Sequence, residues 1–234
     1  MTNCFFKKRV ALILALLFVL IEILMGIYVQ KGETATTIVA YSSVVLAFLF
    51  VLYSFKKDYL WLFTALAMSF TLCADVFLVL VEPRKQLLAM FFFNFTQIFY
   101  ALRLFSCEPL KKKKLIHLFI RLTVCLIAVI STIIVLKENL NALSIVSIIY
   151  YANLIVNVVY AFISRDFIFG VGLICFAVCD AFVGLSVLSQ GLLEIKSGSF
   201  LHYIMHPGFD PVWAFYVPSQ TLISISTFKR KFKI

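Results

Sequence analysis

A chain of 234 residues that is 63% hydrophobic and only 14% charged cannot coat a water-soluble globule, which typically runs about 45–50% apolar and about 25% charged. Its mean hydropathy of +1.06 and its long apolar runs without period-two alternation imply membrane-spanning helices rather than a barrel. The net charge of +10 is spread over the links between those runs, so no nucleic-acid partner is expected; the bilayer itself is.

Eight runs reach the roughly 20 residues that a bilayer core requires. The first, about 10–29, follows Lys7-Lys8-Arg9, and no small-x-small cleavage pattern closes it. It is therefore expected to be a retained helix rather than a signal peptide. The others lie at about 37–55, 60–81, 87–105, 115–136, 142–163, 167–188 and 211–228. Short links between them force neighbouring spans to be antiparallel and adjacent. The expectation is one all-α domain over residues 1–234, a polytopic bundle of eight transmembrane helices. The one long link, Ser189 to Asp210, carries Gly191, Gly198, Pro207 and Gly208 and is expected to form a lid over the bundle mouth or to lie at the interface.

Loops alternate sides, and the basic residues divide fifteen to five between them, with Arg121 left inside the fifth span. The richer side holds Lys7 to Arg9, Lys56, Lys57, Arg103, Lys111 to Lys114, Arg165 and the C-terminal cluster. The positive-inside rule places that side, and with it both termini, in the cytoplasm. Arg121 is expected to snorkel toward it. Of the six cysteines, four lie within spans and two on the reduced cytoplasmic side, with no CxxC pair, so neither a disulfide framework nor a cysteine-bound metal is expected.

Of eleven acidic residues only Glu22, Asp75 and Asp180 fall within apolar runs. Placing a carboxylate there costs about 2.5–3.5 kcal/mol on insertion scales. The two aspartates echo each other, in Leu72-Cys73-Ala74-Asp75-Val76-Phe77-Leu78 and Ala177-Val178-Cys179-Asp180-Ala181-Phe182-Val183. At about 1.5 Å rise per residue, Asp75, Asp180, Gln220, Tyr216 and Glu22 lie roughly 8–14 Å below the outer ends of their spans, and Gln97 and Asn153 about 15–17 Å. Polar groups from six helices thus converge on the outer half to middle of the bilayer.

Span six adds a stripe, Ser147, Tyr150, Asn153, Asn157, Tyr160 and Ser164, at helical spacing on one face. Span eight repeats the device with Trp213, Tyr216, Gln220 and Ser224. Gly170, Ala177, Ala181 and Gly184 lie on or near the Asp180 face of span seven, where small residues permit close helix approach. Together these predict a wet pocket walled by aromatics, from the 26 phenylalanines, with room for an acyl or alkenyl chain. The polar residues read equally well as interhelical glue; for the aspartates, a functional site is the stronger reading. A weak tandem echo pairs Asp75 and Thr96-Gln97 on spans three and four with Asp180 and Ser219-Gln220 on spans seven and eight. His202, His206 and Asp210 share a four-residue spacing, but Pro207 and Gly208 interrupt it, so no metal site is expected, nor any cofactor.

Three readings stay open from the residues alone: a membrane hydrolase, a proton-coupled carrier using Asp75, Asp180 and Glu22 as a relay, and a non-catalytic lipid-binding protein. Phe93-Asn94-Phe95-Thr96-Gln97-Ile98-Phe99-Tyr100, Gly172 to Asp180, and Tyr216-Val217-Pro218-Ser219-Gln220-Thr221-Leu222-Ile223, taken with the span-three aspartate, resemble the YhhN-like, or lysoplasmalogenase, family from about residue 35 onward. Ala74 stands where that family usually has glycine, Cys179 where it has serine, and Gln97 where histidine is common; a lysine frequent in span two is absent. The resemblance implies hydrolysis of the vinyl ether of a lysophospholipid, releasing a fatty aldehyde and a glycerophospho-base. Asp75 and Asp180 would be the catalytic pair, one carboxyl acting as acid and the other stabilising the cation and activating water. Candidates for binding the lipid substrate are Gln97, Tyr100, Tyr150, Asn153, Asn157, Tyr216 and Gln220.

Overall fold

In the computed structural model, residues 2–30, 36–81, 83–108, 110–191 and 209–232 are described. The long link falls largely outside them, with His202 and His206. Among the described residues there are eight α-helices, α1 Thr2–Val29, α2 Thr36–Tyr53, α3 Tyr59–Asp75, α4 Gln86–Cys107, α5 Lys111–Leu136, α6 Ala142–Ile163, α7 Phe167–Gly191 and α8 Pro211–Phe232, and no strand. A helix of 22 residues, the length of α4, α6 and α8, spans about 33 Å, enough for a hydrocarbon core of about 30 Å.

Helix starts follow from local chemistry. Asp58 caps α3 by accepting from Trp61 N at 2.7 Å, and Asn141 caps α6 by accepting from Ser144 N at 2.8 Å. Asp210 accepts from Val212 N and Trp213 N at 3.0 and 3.2 Å, with Pro211 at the first helical position; its carboxylate thus serves as a helix cap. Gln30 at the end of α1 clasps the same turn, through Asp210 N at 2.7 Å and Asp210 O at 3.0 Å.

Among the described residues, seven helices are long and apolar enough to cross a membrane. The eighth, α8, is more polar because it is the one most enclosed by its neighbours. It packs along α7, α2 and α1 and touches α3, and buries Tyr216, Ser219, Gln220, Thr221, Ser224, Ser226 and Thr227. Polar side chains that face other helices carry no lipid-insertion cost. Helix α1 shows the converse: Ala11, Ala15, Phe18 and Glu22 form a buried stripe, while Ile13, Leu16, Leu20, Ile23 and Ile27 are exposed. Helix α5 is peripheral, packed on α6, with its aliphatic residues outward.

The most extensive pairings are α3 with α4 and α7 with α8, and the lesser ones α2 with α8 and α4 with α6. Between α3 and α4 the glue is a ladder of rings: Phe63 stacks on Phe99, Phe70 on Phe95 and Phe99, and Phe77 on Phe92, at centroid separations of 5.1–6.4 Å. Many of the phenylalanines expected around a pocket therefore bind helix to helix instead. Between α7 and α8 the close approach falls at Gly172, where a Cβ would meet Ile223 Cγ1 at 3.0 Å and Ile223 N at 3.2 Å. Gly184, expected to serve this purpose, faces open space, and Gly170 abuts the Phe162 ring.

Two basic residues correct the sequence-based picture. Arg103, assigned to the cytoplasmic surface, is 1% exposed and ion-paired with Asp166 at 2.7 Å. It also bonds Thr64 on α3 and Ser226 on α8 at 2.9 Å and lies 3.7 Å from the Phe169 ring centroid. One guanidinium therefore ties together α3, α4, α7 and α8 at their basic end. Arg121 does not snorkel. It is buried and donates to Asn153 Oδ1 at 2.7 Å and Asn157 Oδ1 at 2.6 Å, clasping α5 to α6. The two asparagine oxygens meet its terminal amino groups, as a buried charge requires.

Candidate active site

Asp75 is the last residue of α3, and the chain continues at once into a single π-helical turn, Val76–Leu80. Val81 N bonds Val76 O at 2.9 Å, five residues back. Such widened turns concentrate at functional sites, and no sequence signal announced this one. Asp75 is 2% exposed, and Tyr216 on α8 donates to its Oδ2 at 2.7 Å.

Asp180 lies on α7, half-buried. Tyr150 on α6 donates to its Oδ2 in a short hydrogen bond. The two arrangements match: each carboxyl accepts from a tyrosine on a helix other than its own. Phe176, one turn before Asp180, joins them, its ring centroid 5.5 Å from that of Tyr216 and 6.4 Å from that of Tyr150. Of the predicted residues, then, Asp75, Asp180, Tyr150 and Tyr216 form one cluster.

One turn further in lies a second polar layer. Tyr216 and Ser224 flank Gln220 by one turn on each side, and they contact Asp75 and Met68 on α3, so Gln220 runs beside the Thr71 stretch of that helix. Thr71 contacts Thr96 on α4 at 3.2 Å, next to Gln97. Gln97, Tyr100 and Gln220 are each 0% exposed. Among the described residues, Gln97 Nε2 and both amide atoms of Gln220 have no hydrogen-bond partner. Leaving such groups unmet costs roughly 1–3 kcal/mol each, and the usual resolution is bound water or a polar ligand.

The remaining predicted residues turn away from the cluster. Asn157 donates to Gln97 O at 3.0 Å and Gln97 Oε1 at 2.9 Å, while its own oxygen and that of Asn153 accept from Arg121. Glu22 is 1% exposed and accepts a short hydrogen bond from Ser43, between α1 and α2. Sequence reasoning missed Phe176, the π-turn and Tyr151, whose hydroxyl donates to Ala177 O at 3.3 Å. Among the described residues no His/Cys/Asp/Glu group of three has metal-binding geometry.

Fold and site define a multi-pass helical membrane protein with two tyrosine-held carboxyls clustered inside its bundle. The model of the YhhN family matches residues 35–227, from just before α2 into the last turns of α8, and the chain belongs to that family. Helix α1, with Glu22, lies outside the matched region. No curated protein and no solved structure matches the chain.

Proposed function

We propose that the protein is a membrane hydrolase that cleaves the vinyl ether of a lysoplasmalogen-type lipid. The observation that carries this reading is the pair of carboxyls, Asp75 and Asp180, each fixed through one oxygen by a tyrosine hydroxyl. That leaves the other oxygen of each for chemistry.

The reaction needs an acid at carbon and a base for water. Protonation of the vinyl ether's β-carbon makes an oxocarbenium ion at the carbon bonded to oxygen. Water adds there, losing a proton to a base, and the hemiacetal collapses to a fatty aldehyde and the glycerol hydroxyl. Atoms balance with one water consumed and the acid's proton restored. Asp180, less enclosed than Asp75, is assigned as the acid. Asp75, enclosed and one helical turn from Thr71 in the second polar layer, is assigned to the water. Two positioned carboxyls flanking an oxocarbenium-like centre suit this task as they suit glycoside hydrolysis.

The test is aldehyde release from a purified lysoplasmalogen by protein in detergent or nanodiscs. Wild type releases aldehyde; Asp75→Asn and Asp180→Asn each reduce turnover by at least a thousandfold while remaining monodisperse. A wild-type protein that releases none over a range of pH and detergents ends this assignment.

One observation favours a carrier instead. Buried polar groups continue below Asp75 through Thr71 and Tyr100 to Thr64 and the Arg103–Asp166 pair at the basic end, as a proton path would. Substrate flux into proteoliposomes without chemical conversion distinguishes it.

A further inference from the structure

The side-chain amide of Gln97 is fixed by a chain of hydrogen bonds that leaves no choice of polarity. Arg121 on α5 is a donor only, and its Nη2 donates to Asn157 Oδ1 on α6 at 2.6 Å. Asn157 therefore turns its Nδ2 the other way, where it donates to Gln97 O at 3.0 Å and to Gln97 Oε1 at 2.9 Å. A main-chain carbonyl can only accept, so the same orientation is imposed from both ends. With its oxygen engaged, Gln97 has its amino group to offer elsewhere. That Nε2 is buried and finds no acceptor among the described residues.

The rings around this donor show where it lies. Phe93, one turn before Gln97 on α4, meets the Phe176 ring at a centroid distance of 6.0 Å, and Tyr100, one turn after it, meets Phe169 at 5.2 Å. Gln97 thus lies on the α4 face turned to α7, at a level between Phe176 and Phe169. On α8, Tyr216 meets Phe176 at 5.5 Å, and Ile223 packs on Gly172. Gln220, between them, faces the same stretch of α7, and neither of its amide atoms has a partner among the described residues. Each glutamine follows its helix's Phe176 contact by four residues toward the basic end. Both amides therefore lie at one depth, about 6 Å below that ring.

These atoms define what fits. Two donors, Gln97 Nε2 and Gln220 Nε2, and one acceptor, Gln220 Oε1, call for a ligand that both accepts and donates. Gln97, Tyr100 and Gln220 are 0% exposed and Phe93 3%, so that ligand is small. The amides are neutral, so an ion there would lack a counter-charge. Water meets all three conditions. We propose that this level of the bundle holds ordered water on Gln97 and Gln220, and that Asn157, anchored by Arg121, is the positioning residue that keeps Gln97 a donor to it. The purpose of the site rests on the hydrolytic reading, under which a water must reach Asp75; Tyr216, one turn from Gln220, holds that carboxyl. Its geometry stands without that reading.

The test is radiolytic labelling of the full-length protein in nanodiscs, in which X-rays split bound water and the hydroxyl radicals oxidise the side chains beside it, read by peptide mapping. Phe93 is the reporter. Phe18, similarly enclosed at 4% exposure and stacked on Phe50 between α1 and α2, is the control. Phe93 is expected to be oxidised at least fivefold faster than Phe18, and to fall to the Phe18 rate in Gln97→Leu. Gln220→Leu, with Tyr216 as reporter, serves if the first variant does not fold. Asn157→Leu should lower the Phe93 rate at least twofold and kcat for aldehyde release about tenfold, the loss of one hydrogen bond, with KM unchanged. Equal rates at Phe93 and Phe18, or reporter rates that the glutamine variants leave unchanged, overturn the water site. An Asn157→Leu protein with unchanged Phe93 rate and kcat overturns the positioning role. Fast Phe93 oxidation without aldehyde release leaves the water site standing and removes the hydrolase; aldehyde release with Phe93 no faster than Phe18 does the reverse.

Discussion

Tyr216 on α8 donates a 2.7 Å hydrogen bond to Asp75 on α3, across 141 residues of sequence. Tyr150 does the same for Asp180 from α6. Hydrogen bonds to charged groups are worth roughly 1.5–3 kcal/mol, and each 1.36 kcal/mol of barrier is about tenfold in rate. Tyr216→Phe should therefore lower kcat for aldehyde release by about ten- to hundredfold, with little change in KM. Kinetics of the purified variant check this. An unchanged kcat would show that the hydroxyl merely fills space.

The Arg103–Asp166 pair makes a different claim. Removing one partner of a buried ion pair leaves an unmet charge and costs about 3–5 kcal/mol. Arg103→Met and Asp166→Leu singly should each lower the melting temperature strongly. The double variant should recover much of the loss, because a well-packed apolar pair is often neutral relative to the buried ion pair. Thermal unfolding of all four proteins in one detergent measures the coupling; strict additivity would contradict it.

Helix contact at Gly172 gives a paired prediction. Gly172→Val places methyl groups against Ile223, whose backbone nitrogen is 3.2 Å from an added Cβ, and overpacking of this kind costs typically about 1–3 kcal/mol. Gly184→Ala meets nothing within 4 Å and should be neutral or slightly stabilising. Melting temperatures of the two variants should therefore differ in this order.

Arg165 closes α6 in the left-handed region at φ 57°. Asp166 N bonds Ala161 O at 2.9 Å and Arg165 N bonds Phe162 O at 3.0 Å, the Schellman pattern in which glycine is favoured. Arg165→Gly relieves a backbone cost of about 1–2 kcal/mol and should raise the melting temperature. A fall would show that the arginine side chain holds the turn.

The helices were legible in the sequence because a bilayer imposes length and continuity on each one. Depth was legible too, through the helical rise, and it placed Asp75, Asp180 and Tyr216 at compatible levels. What a single sequence lacks is the azimuth of each helix about its axis relative to its neighbours. Asn153 and Asn157 share a stripe with Tyr150, yet they turn to Arg121 on α5 while Tyr150 turns to Asp180 on α7. Arg103 and Asp166 lie near helix ends, where a charge reads as solvated until its partner is found. The π-turn after Asp75 leaves no residue signature.

The most direct measurement is mass spectrometry of a lysoplasmalogen incubated with wild-type protein and with the Asp75→Asn/Asp180→Asn double variant, both recovered as the same monodisperse species. The account predicts fatty aldehyde and glycerophospho-base with the wild type and intact lipid with the variant. Equal product from both, or intact lipid from both, would contradict it.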